Sequence, residues 1–479
     1  MKQLKTDVAI IGAGTAGLSA YRAVKSAGAA AILIEGGPYG TTCARVGCMP
    51  SKLLIAAADA AHTAAAAAPF GVHIDGSIRI DGVQVMDRVK RERDRFVGFV
   101  LESVDNIPDS DKVRGYARFV SDTLLRVDDH TEIQASRIII ATGSTPIVPD
   151  SYRALGDRVI VNADVFAWDD LPGNVMVAGA GVIGLELGQA LARLGVQVRH
   201  ISRSDSLGGL TDPVVRASAL AAFQAELDLH LNTNILGVKR IGDEVEIRYQ
   251  AAGEKEKVDR FDYLLVAVGR RPNIDRLDLH NTSAVLDSKG MPEYDARTLQ
   301  LGSTSIFIAG DVNGVLPLLH EASDDGRIAG HNAAAYPQVS PGKRRAPMAV
   351  VFSDPQLAQA GIRFKDLPPQ GVVIGEVDFT NQGRSRVILK NQGKLRVYAS
   401  REDGRFLGAE MAGPAVEHIA HLLAWAVQQE LTIGAMLEMP FYHPVIEEGL
   451  RTALRHAAEE LAAARLTSVR EAEQLVNSA

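Results

Sequence analysis

The stretch DVAIIGAGTAG, residues 7–17, joins a run of apolar residues to a Gly-x-Gly-x-x-Gly turn. After it, residues 18–28 (LSAYRAVKSAG) have the spacing of a helix, and residues 31–35 (AILIE) form a second apolar run that ends in an acid. Glu35 follows Gly12 by 23 positions, close to the spacing of about 20 that dinucleotide-binding strand–helix–strand units place between glycine turn and acid. The stretch therefore predicts a unit of this kind.

Each polar or glycine position of this pattern has a physical reason. Gly12 permits a tight turn, Gly14 lets the backbone approach a pyrophosphate at the positive end of the helix, and Gly17 brings the helix close to the strand. Glu35 is expected to accept hydrogen bonds from ribose hydroxyls, which indicates an adenosine ribose without a 2′-phosphate. These four residues are candidate cofactor-binding residues.

The same design returns 167 residues later. A strand pattern at 174–178 (NVMVA) leads into GAGVIG at 179–184, then a helical stretch, then a strand pattern at 196–202 (VQVRHIS). This repeat predicts a second dinucleotide site, whose cofactor-binding glycines are Gly179, Gly181 and Gly184. Two such sites in one chain indicate two cofactors that exchange electrons.

The two units differ at the position that reads the ribose. Ser202 stands where Glu35 stands in the first unit, and Arg203 follows it. A carboxylate would repel a 2′-phosphate whereas an arginine would attract one, so the second site is predicted to favour NADP(H) over NAD(H). The alternative is that Arg203 is a solvated surface residue.

Later strand patterns indicate the domain order. Three apolar runs end in small turns: RIIIATGSTP (137–146), YLLVAVGRRPN (263–273) and SIFIAGDV (305–312). The third run needs a sheet to join, and the simplest arrangement inserts the second unit into the first. After about residue 348, antiparallel strand patterns mix with helical ones. The chain is thus predicted to be an α/β protein with two Rossmann-like dinucleotide-binding domains, the second inserted in the first, and a C-terminal α+β domain.

The composition disfavours several classes of function. The chain has 479 residues, 46% of them hydrophobic, and a formal net charge of −7. This acidic balance disfavours a nucleic-acid or anionic-membrane partner, and no apolar run reaches the length of a membrane span. Only two cysteines occur, too few for a secreted disulfide framework or a cysteine-rich zinc site. A cytoplasmic protein without a metal is therefore expected.

Both cysteines lie in GTTCARVGCMPSK, residues 40–52. A pair separated by four residues can close a disulfide on one helical turn, and such a bond accepts electrons if a thiolate is stabilised. Pro50 is typical of an early helix position, which places Cys48 near a positive helix end and lowers its pKa. The pattern indicates that one sulfur exchanges electrons with a flavin while the other attacks substrate.

The chain resembles the flavoprotein pyridine nucleotide–disulfide oxidoreductases over nearly its whole length. The motifs that carry the resemblance are GTTCARVGCMPSK, GAGTAG with its acid, GAGVIGLE, ATGSTP, FIAGDV and HPVIEE. The resemblance implies FAD in the first unit and NAD(P) in the second, with Cys43 as the thiol that meets substrate and Cys48 as the thiol beside the flavin. It also implies four regions: an FAD-binding domain at 1–150, an NAD(P)-binding domain at 151–270, a return to the FAD-binding and central region at 271–348, and a dimerisation domain at 349–479.

Other site residues follow from the same resemblance. Lys52 is expected near the flavin ring, paired with Glu186, and Asp311 is expected on the ribityl chain or pyrophosphate. The turns that end two strands supply further cofactor-binding candidates: Thr142, Gly143 and Gly269. His443 is expected to take a thiol proton, oriented by Glu448 five positions later. In this family the histidine comes from the partner subunit, so the resemblance implies a homodimer with shared active sites.

Within the family, the motifs are most similar to those of dihydrolipoamide dehydrogenases, which act on a dithiol such as a lipoyl group. Relatives with extra C-terminal cysteines, or without the full pair, are excluded. A glutathione-reductase-like, NADPH-dependent disulfide reductase stays open, as does a flavin-based redox sensor without fast turnover. Two positions depart from the family pattern: Thr41 stands at a usual glycine, and Arg45 lies between the cysteines, where it is expected to alter the charge preference for substrate.

Overall fold

The computed structural model describes the backbone of residues 1–477 and the side chains of residues 1–466. Its first region alternates strands and helices. The elements are β1 (Lys2–Ile11), α1 (Thr15–Ser26), β2 (Ala31–Glu35), α2 (Thr42–Val46), α3 (Cys48–Ala65), α4 (Gly82–Asp105), β3 (Lys112–Arg114), β4 (Ala117–Ser121), β5 (Leu124–Val127), β6 (Thr131–Ile140) and β7 (Ser144–Pro146).

The first sheet is built around β1, which pairs in parallel with β2 on one side and β6 on the other. The strand order is β3-β2-β1-β6-β5-β4. Val8, Ala9 and Ile10 are fully buried, as expected for a central strand of a parallel sheet that is covered on both faces. The glycine turn after β1 therefore lies at the carboxyl edge of the sheet, where ligands of such sheets bind.

The second region repeats this design and adds an antiparallel sheet. Its elements are β8 (Val159–Ile160), α5 (Asn162–Val165), β9 (Asn174–Ala178), α6 (Val182–Arg193), β10 (Gln197–Ile201), α7 (Pro213–Glu226), β11 (Asp228–His230), β12 (Thr233–Ile241), β13 (Glu244–Ala251), β14 (Lys257–Phe261), β15 (Tyr263–Val266) and β16 (Arg270–Pro272). The parallel sheet has the order β11-β10-β9-β15-β8, and the antiparallel one β12-β13-β14.

The second region is inserted in the first, as predicted. β7 and β16 pair antiparallel where the chain leaves the first region and returns to it. The next strand, β17 (Ile306–Ile308), pairs in parallel with β6 and so rejoins the first sheet. It is followed by α8 (Leu319–Ala335), which packs on α1. A Cβ at Gly326 would lie 2.2 Å from the Ala16 carbonyl oxygen, so glycine is what allows these two helices to approach so closely.

The C-terminal region is an α+β unit, also as predicted. Its elements are β18 (Met348–Val351), β19 (Gln356–Gly361), β20 (Val372–Asp378), α9 (Gly383–Val387), β21 (Lys394–Ser400), β22 (Phe406–Gly413), α10 (Val416–Gln428), α11 (Ile433–Leu437) and α12 (Glu448–Asn477). The strands form an antiparallel sheet of order β18-β19-β22-β21-β20. Residues 478 and 479, the last two of the predicted dimerisation domain, lie outside the described residues.

Buried polar contacts fix the second region against this C-terminal sheet. Asp212, which caps α7, accepts from Arg396 at 2.9 Å and from the Tyr398 hydroxyl at 2.9 Å. Glu410 is fully buried and accepts from the backbone N–H groups of Thr211 and Asp212. Both buried acids therefore have hydrogen-bond partners, and their bonds join the second region to the C-terminal sheet. In the part of the chain that the structure describes, no helix is long and apolar enough to span a bilayer.

Candidate active site

The two cysteines lie on either side of a break between helices. Cys43 is in α2 and Cys48 is the first residue of α3, with Gly47 between the helices. A Cβ at Gly47 would lie 3.1 Å from the Cα of Cys43, so a side chain there would push the helices apart. This corrects the expectation of a single helical turn, because the thiols approach each other across a bend. The two thiols interact, and each shifts the pKa of the other through a hydrogen bond from Cys43 to Cys48.

The two sulfurs differ in acidity. The hydrogen bond to Cys48, together with burial, raises the pKa of Cys43. The bond from Cys43, aided by the charge of Lys52, lowers the pKa of Cys48 to about 6. Cys48 also begins an 18-residue helix, whose positive end favours a thiolate. At neutral pH the pair therefore keeps its proton on Cys43 and a negative charge on Cys48.

Lys52 is anchored one helical turn after Cys48. Its Nζ lies 2.7 and 2.9 Å from the two carboxylate oxygens of Glu186, a side chain on α6 that is 4% exposed. The backbone N–H of Phe352 donates to the same carboxylate at 3.0 Å, and the Phe352 ring centroid lies 4.6 Å from Nζ. Groups from all three regions thus hold one ammonium close to the sulfur pair.

The turn after β1 has the shape of a phosphate cradle. Gly12 has a φ of 111°, and a Cβ there would lie 2.3 Å from the Ala141 carbonyl oxygen. A Cβ at Gly17 would lie 1.8 Å from the Gly12 carbonyl oxygen. At Gly14, by contrast, a Cβ would meet nothing within 4 Å, and no side chain caps the helix that starts there. The open space before α1 therefore fits a pyrophosphate on the helix N-terminus.

Glu35 closes the far side of this cradle. Its carboxylate accepts from the backbone N–H of Ala13 at 2.8 Å and from that of Gly37 at 2.7 Å. Each oxygen keeps a further acceptor position. The side chain is therefore fixed at the end of β2 with capacity for the ribose hydroxyls that the sequence pattern predicts.

Asp311 follows β17 and is held by a chain of hydrogen bonds. The Ser144 hydroxyl donates to its carboxylate at 3.0 Å. Arg270 in turn donates to the Ser144 hydroxyl at 2.8 Å and to its carbonyl at 2.7 Å. Burial lowers the pKa of Arg270. These side chains lie where the two nucleotide regions meet, so Arg270 of the inserted region orients Asp311 through Ser144.

Three predicted cofactor-binding residues lie at the crossing between the regions. The Thr142 hydroxyl donates to the Asn273 carbonyl at 2.7 Å, and the Asn273 amide donates back to the Thr142 carbonyl at 2.9 Å. The Gly143 carbonyl accepts from the backbone N–H of Asn273, and the Gly269 carbonyl accepts from that of Ile147, both at 3.0 Å. The structure thus uses these groups to join the returning chain to the first region.

The second glycine turn repeats the geometry of the first. Gly179 has a φ of 112°, and a Cβ there would lie 2.4 Å from the Ala267 carbonyl oxygen. A Cβ at Gly184 would lie 1.9 Å from the Gly179 carbonyl oxygen, whereas one at Gly181 would meet nothing within 4 Å. The turn fits a second pyrophosphate for the same reason as the first.

The positions predicted to read the ribose of the second nucleotide lie just beyond β10. Ser202 is buried, with its backbone bonded to His230 and Thr233. Arg203 is exposed. Tyr152 lies near enough for the charge of Arg203 to oppose the rise in its pKa that burial causes. The guanidinium of Arg203 therefore lies next to Ser202, which occupies the position that Glu35 occupies in the first unit.

His443 and Glu448 form a pair at the surface of the C-terminal region. His443 is 80% exposed, and its Nδ1 lies 2.9 Å from the Glu448 carboxylate, which also accepts from Arg451. Burial opposes ionisation of Glu448, but the hydrogen bond from His443 and that from Val445 N–H lower its pKa. Because a carboxylate accepts, Nδ1 carries the proton and Nε2 is left as a base. Within residues 1–466, no hydrogen bond or ion pair joins His443 to the cysteines.

Two sequence profiles of one family match the chain. The profile described as pyridine nucleotide-disulphide oxidoreductase matches residues 6–326, and the dimerisation-domain profile of that family matches residues 348–454. The chain belongs to the pyridine nucleotide-disulphide oxidoreductase family. It is 31% identical to a dihydrolipoyl dehydrogenase of Haloferax volcanii over 94% of this chain and 96% of that protein. It is 28% identical to one of Bacillus subtilis over 93% and 95%.

Solved structures share the fold. The HOCl-induced flavoprotein disulfide reductase RclA from Escherichia coli gives a TM-score of 0.79 at 22% identity, and the match covers 94% of this chain and 99% of that one. LpdA from Mycobacterium tuberculosis gives 0.81 at 22% identity, with coverage of 95% and 99%. At this identity the likeness shows the architecture alone.

Membership in the pyridine nucleotide-disulphide oxidoreductase family gives the coarse function. The chain is a flavoprotein disulfide oxidoreductase of a family that binds FAD and a pyridine nucleotide, and Cys43 and Cys48 lie near the redox site. The dimerisation domain implies a homodimer. Among the described residues, no cluster of His, Cys, Asp or Glu side chains could hold a metal ion.

Sequence reasoning missed several residues that support this family site. They are Phe352 over the Lys52 ammonium, Ser144 and Arg270 behind Asp311, Asn273 at the region crossing and His200 under the second glycine turn. Four of them, Ser144, His200, Arg270 and Asn273, lie in the stretches quoted above at 137–146, 196–202 and 263–273. Their contacts, and the position of Phe352, become visible only when distant segments are packed together.

Proposed function

We propose that this family member oxidises a dithiol of the dihydrolipoamide type and passes the electrons through Cys43 and Cys48, and then FAD, to NAD(P). One feature carries the proposal: Cys43 in α2 and Cys48 at the start of α3 lie beside the Lys52 ammonium, and Cys43 lowers the pKa of Cys48 to about 6. A sulfur of low pKa leaves readily in thiol–disulfide exchange, so this arrangement favours attack on Cys43 and departure of Cys48. The dihydrolipoyl dehydrogenases at 31% and 28% identity support the substrate class.

The first step breaks the disulfide. His443, contributed by the other protomer of the homodimer, takes a proton from one substrate thiol at Nε2 while Glu448 holds its Nδ1–H. The substrate thiolate attacks Sγ of Cys43, and a sulfur–sulfur bond forms between them. The bond from Cys43 to Cys48 breaks, and Cys48 leaves as a thiolate with the electron pair of that bond.

The second step releases the oxidised substrate. The remaining substrate thiol attacks the substrate sulfur of the mixed disulfide, and Cys43 leaves and takes up a proton. The dithiol has then lost two electrons and two protons: one proton lies on Cys43, the other was taken by His443, and Cys48 is a thiolate beside Lys52. Bound FAD supplies the two-electron chemistry between this thiolate and the nicotinamide.

The residues proposed to hold FAD are those of the first cradle and its neighbours, namely Gly12, Gly14, Gly17, Glu35, Lys52, Thr142, Gly143 and Asp311. Those proposed for the pyridine nucleotide are Gly179, Gly181, Gly184, Ser202, Arg203 and Gly269. Arg203 is exposed, and no acidic side chain within residues 1–466 forms an ion pair with it. A free guanidinium at this place supports NADP(H) over NAD(H).

The same arginine favours a second candidate, an NADPH-dependent disulfide reductase of the glutathione-reductase type that runs the chemistry in reverse. Its substrate would be a disulfide, and Cys43 would make the attack. A redox sensor without fast turnover is the third candidate. The His443–Glu448 hydrogen bond of 2.9 Å argues against a sensor, because a protein that only records oxidation needs no placed proton acceptor.

A substrate panel separates the three candidates. The purified holoenzyme is assayed for oxidation of dihydrolipoamide with NAD+ and with NADP+, and for reduction of oxidised glutathione and lipoamide with NADPH. The proposal expects dihydrolipoamide oxidation to have the highest kcat/KM. Preferred reduction of oxidised glutathione would establish the second candidate, and no turnover with any dithiol or disulfide would leave the sensor.

A variant tests the role of the sulfur pair itself. Cys48→Ser is expected to abolish dithiol turnover while FAD stays bound, because the serine hydroxyl cannot form the disulfide. Met49→Leu, one residue further along α3, is the matched control and should keep full activity. A Cys48→Ser protein with wild-type turnover would refute the assignment.

A further inference from the structure

A fully buried histidine lies under the second glycine turn. His200 is 0% exposed, and its Nε2 lies 2.8 Å from the carbonyl oxygen of Gly179. Since a carbonyl only accepts, Nε2 carries the ring proton and Nδ1 is an acceptor. No partner for Nδ1 is found among the described residues. Burial lowers the pKa of His200 to about 4, so the ring is neutral at pH 7.

The first unit has no counterpart of this histidine. At the equivalent position, 167 residues earlier, Leu33 stands in place of His200, and Tyr21 stands in place of Gly188. Gly188 makes room for the ring, since a Cβ there would lie 3.0 Å from Nδ1. The histidine and the glycine that faces it are therefore a matched pair that the second unit alone carries.

His200 and Ile201 of β10 form a clamp on the turn, because the first binds the carbonyl of Gly179 and the second binds its N–H. In both units the N–H of the first glycine donates to the neighbouring strand, from Gly12 to Ile34 and from Gly179 to Ile201, each at 2.8 Å. In the second unit, a side chain of that strand also holds the glycine carbonyl. Within residues 1–466, no side chain donates to the Gly12 carbonyl in this way. β10 thus binds both the N–H and the carbonyl of Gly179, and Arg203 lies two residues after the end of β10.

We propose that His200 is a positioning residue of the pyridine-nucleotide site, which fixes the glycine turn to β10 at a set distance from Arg203. The proposal rests on the nucleotide site of the family and is independent of which dithiol the enzyme oxidises. A buried acceptor without a partner is unfavourable for stability, and leucine at this position would avoid it. The ring is therefore best explained by what its Nε2–H holds in place.

The position of the clamp predicts which ligands it affects. The turn faces the pyrophosphate, which NAD and NADP share, whereas Arg203 faces the ribose position at which they differ. Loss of the clamp should therefore weaken both nucleotides by the same factor. Loss of Arg203 should weaken NADP(H) selectively, so the two effects can be told apart.

The test is nucleotide affinity of the oxidised holoenzyme, measured by calorimetry with NAD+ and with NADP+ and without dithiol. His200→Leu is expected to weaken both by about two- to tenfold, the range that one neutral hydrogen bond accounts for. His200→Gln, whose side-chain amide can reach the Gly179 carbonyl, should restore affinity to within about twofold. KM for the nucleotide should rise with His200→Leu while kcat and FAD content stay unchanged.

Two further variants keep the test decisive. Val175→Ala creates a cavity in the same sheet about 13 Å before the turn, so it should lower the melting temperature without changing affinity. His200→Asn carries an amide that is too short to reach the carbonyl, so it should weaken both nucleotides as His200→Leu does. It takes the place of the leucine variant in the test if that variant does not fold. Unchanged affinity in the folded leucine or asparagine variant, or an equal loss in Val175→Ala, would overturn the proposal. So would a wild-type protein that binds neither nucleotide.

Discussion

Removal of the Cys43 thiol should change the ionisation of Cys48. The hydrogen bond from Cys43 is the largest influence on the Cys48 thiolate, and Lys52 lowers the pKa further. Burial and the Glu186 carboxylate act in the opposite direction. Cys43→Ala deletes the first of these influences and leaves the others in place, so the pKa of Cys48 must rise.

The size of the effect follows from the acidity of Cys48. The structure lowers its pKa from 9.0 to about 6. At pH 7 this makes Cys48 about nine-tenths thiolate, against about one-hundredth for the unperturbed group. Without the Cys43 donor, burial and Glu186 oppose Lys52, and we expect the thiolate fraction at pH 7 to fall from about nine-tenths toward that of the unperturbed group.

The chain suits a direct measurement, because it contains only two cysteines. Protein labelled with 13C at the cysteine Cβ gives one signal per cysteine by NMR, and the signal of Cys48 reports its ionisation across a pH titration of the reduced protein. Reduced wild-type protein should show a midpoint near pH 6 for Cys48. Cys43→Ser keeps a hydroxyl donor and should stay close to wild type, whereas Cys43→Ala should titrate well above it. A midpoint that stays near 6 in Cys43→Ala would refute the hydrogen bond as the cause.

Three further substitutions test the site. Thr41→Gly should raise the free energy of unfolding by about 1 kcal/mol, because the relief of a φ of 55° outweighs the loss of the hydrogen bond that the Thr41 hydroxyl accepts from Ala44 N–H; an unchanged melting temperature would argue against strain there. Glu448→Gln should lower dithiol turnover about tenfold or more with little loss of stability, since His443 loses the carboxylate that orients it; wild-type rates between pH 6 and 9 would contradict this. Arg203→Ala should weaken NADP+ about tenfold or more and NAD+ by less than about twofold; equal effects would remove the NADP preference.

Steric and packing constraints between residues that are close in sequence explain most of the correct predictions. The two glycine turns follow from steric limits that act within a few residues, and the structure gives both the same geometry, with φ of 111° at Gly12 and 112° at Gly179. The insertion followed from one apolar run, β17, that needed a sheet to join, and it pairs with β6 as expected. Fold class and family were therefore within reach of the sequence.

Contacts between distant segments explain what the sequence did not predict. The bend at Gly47 depends on how α2 and α3 pack, so the spacing of the cysteines wrongly indicated one helical turn. Phe352 reaches Lys52 from 300 positions away. The site roles, the four domain bounds, the nicotinamide preference and the cytoplasmic location stay predictions. The roles and the preference depend on bound partners, and the location depends on a cell compartment.

The central claim is that the sulfurs of Cys43 and Cys48 form and break one bond as electrons pass through the enzyme. The most direct test is anaerobic titration of oxidised holoenzyme with one equivalent of dihydrolipoamide, followed by acid quench, alkylation and peptide mass spectrometry. We predict a Cys43–Cys48 disulfide before the dithiol is added and two alkylated cysteines afterwards. Two free thiols in the oxidised enzyme, or a disulfide that survives the dithiol, would contradict the account.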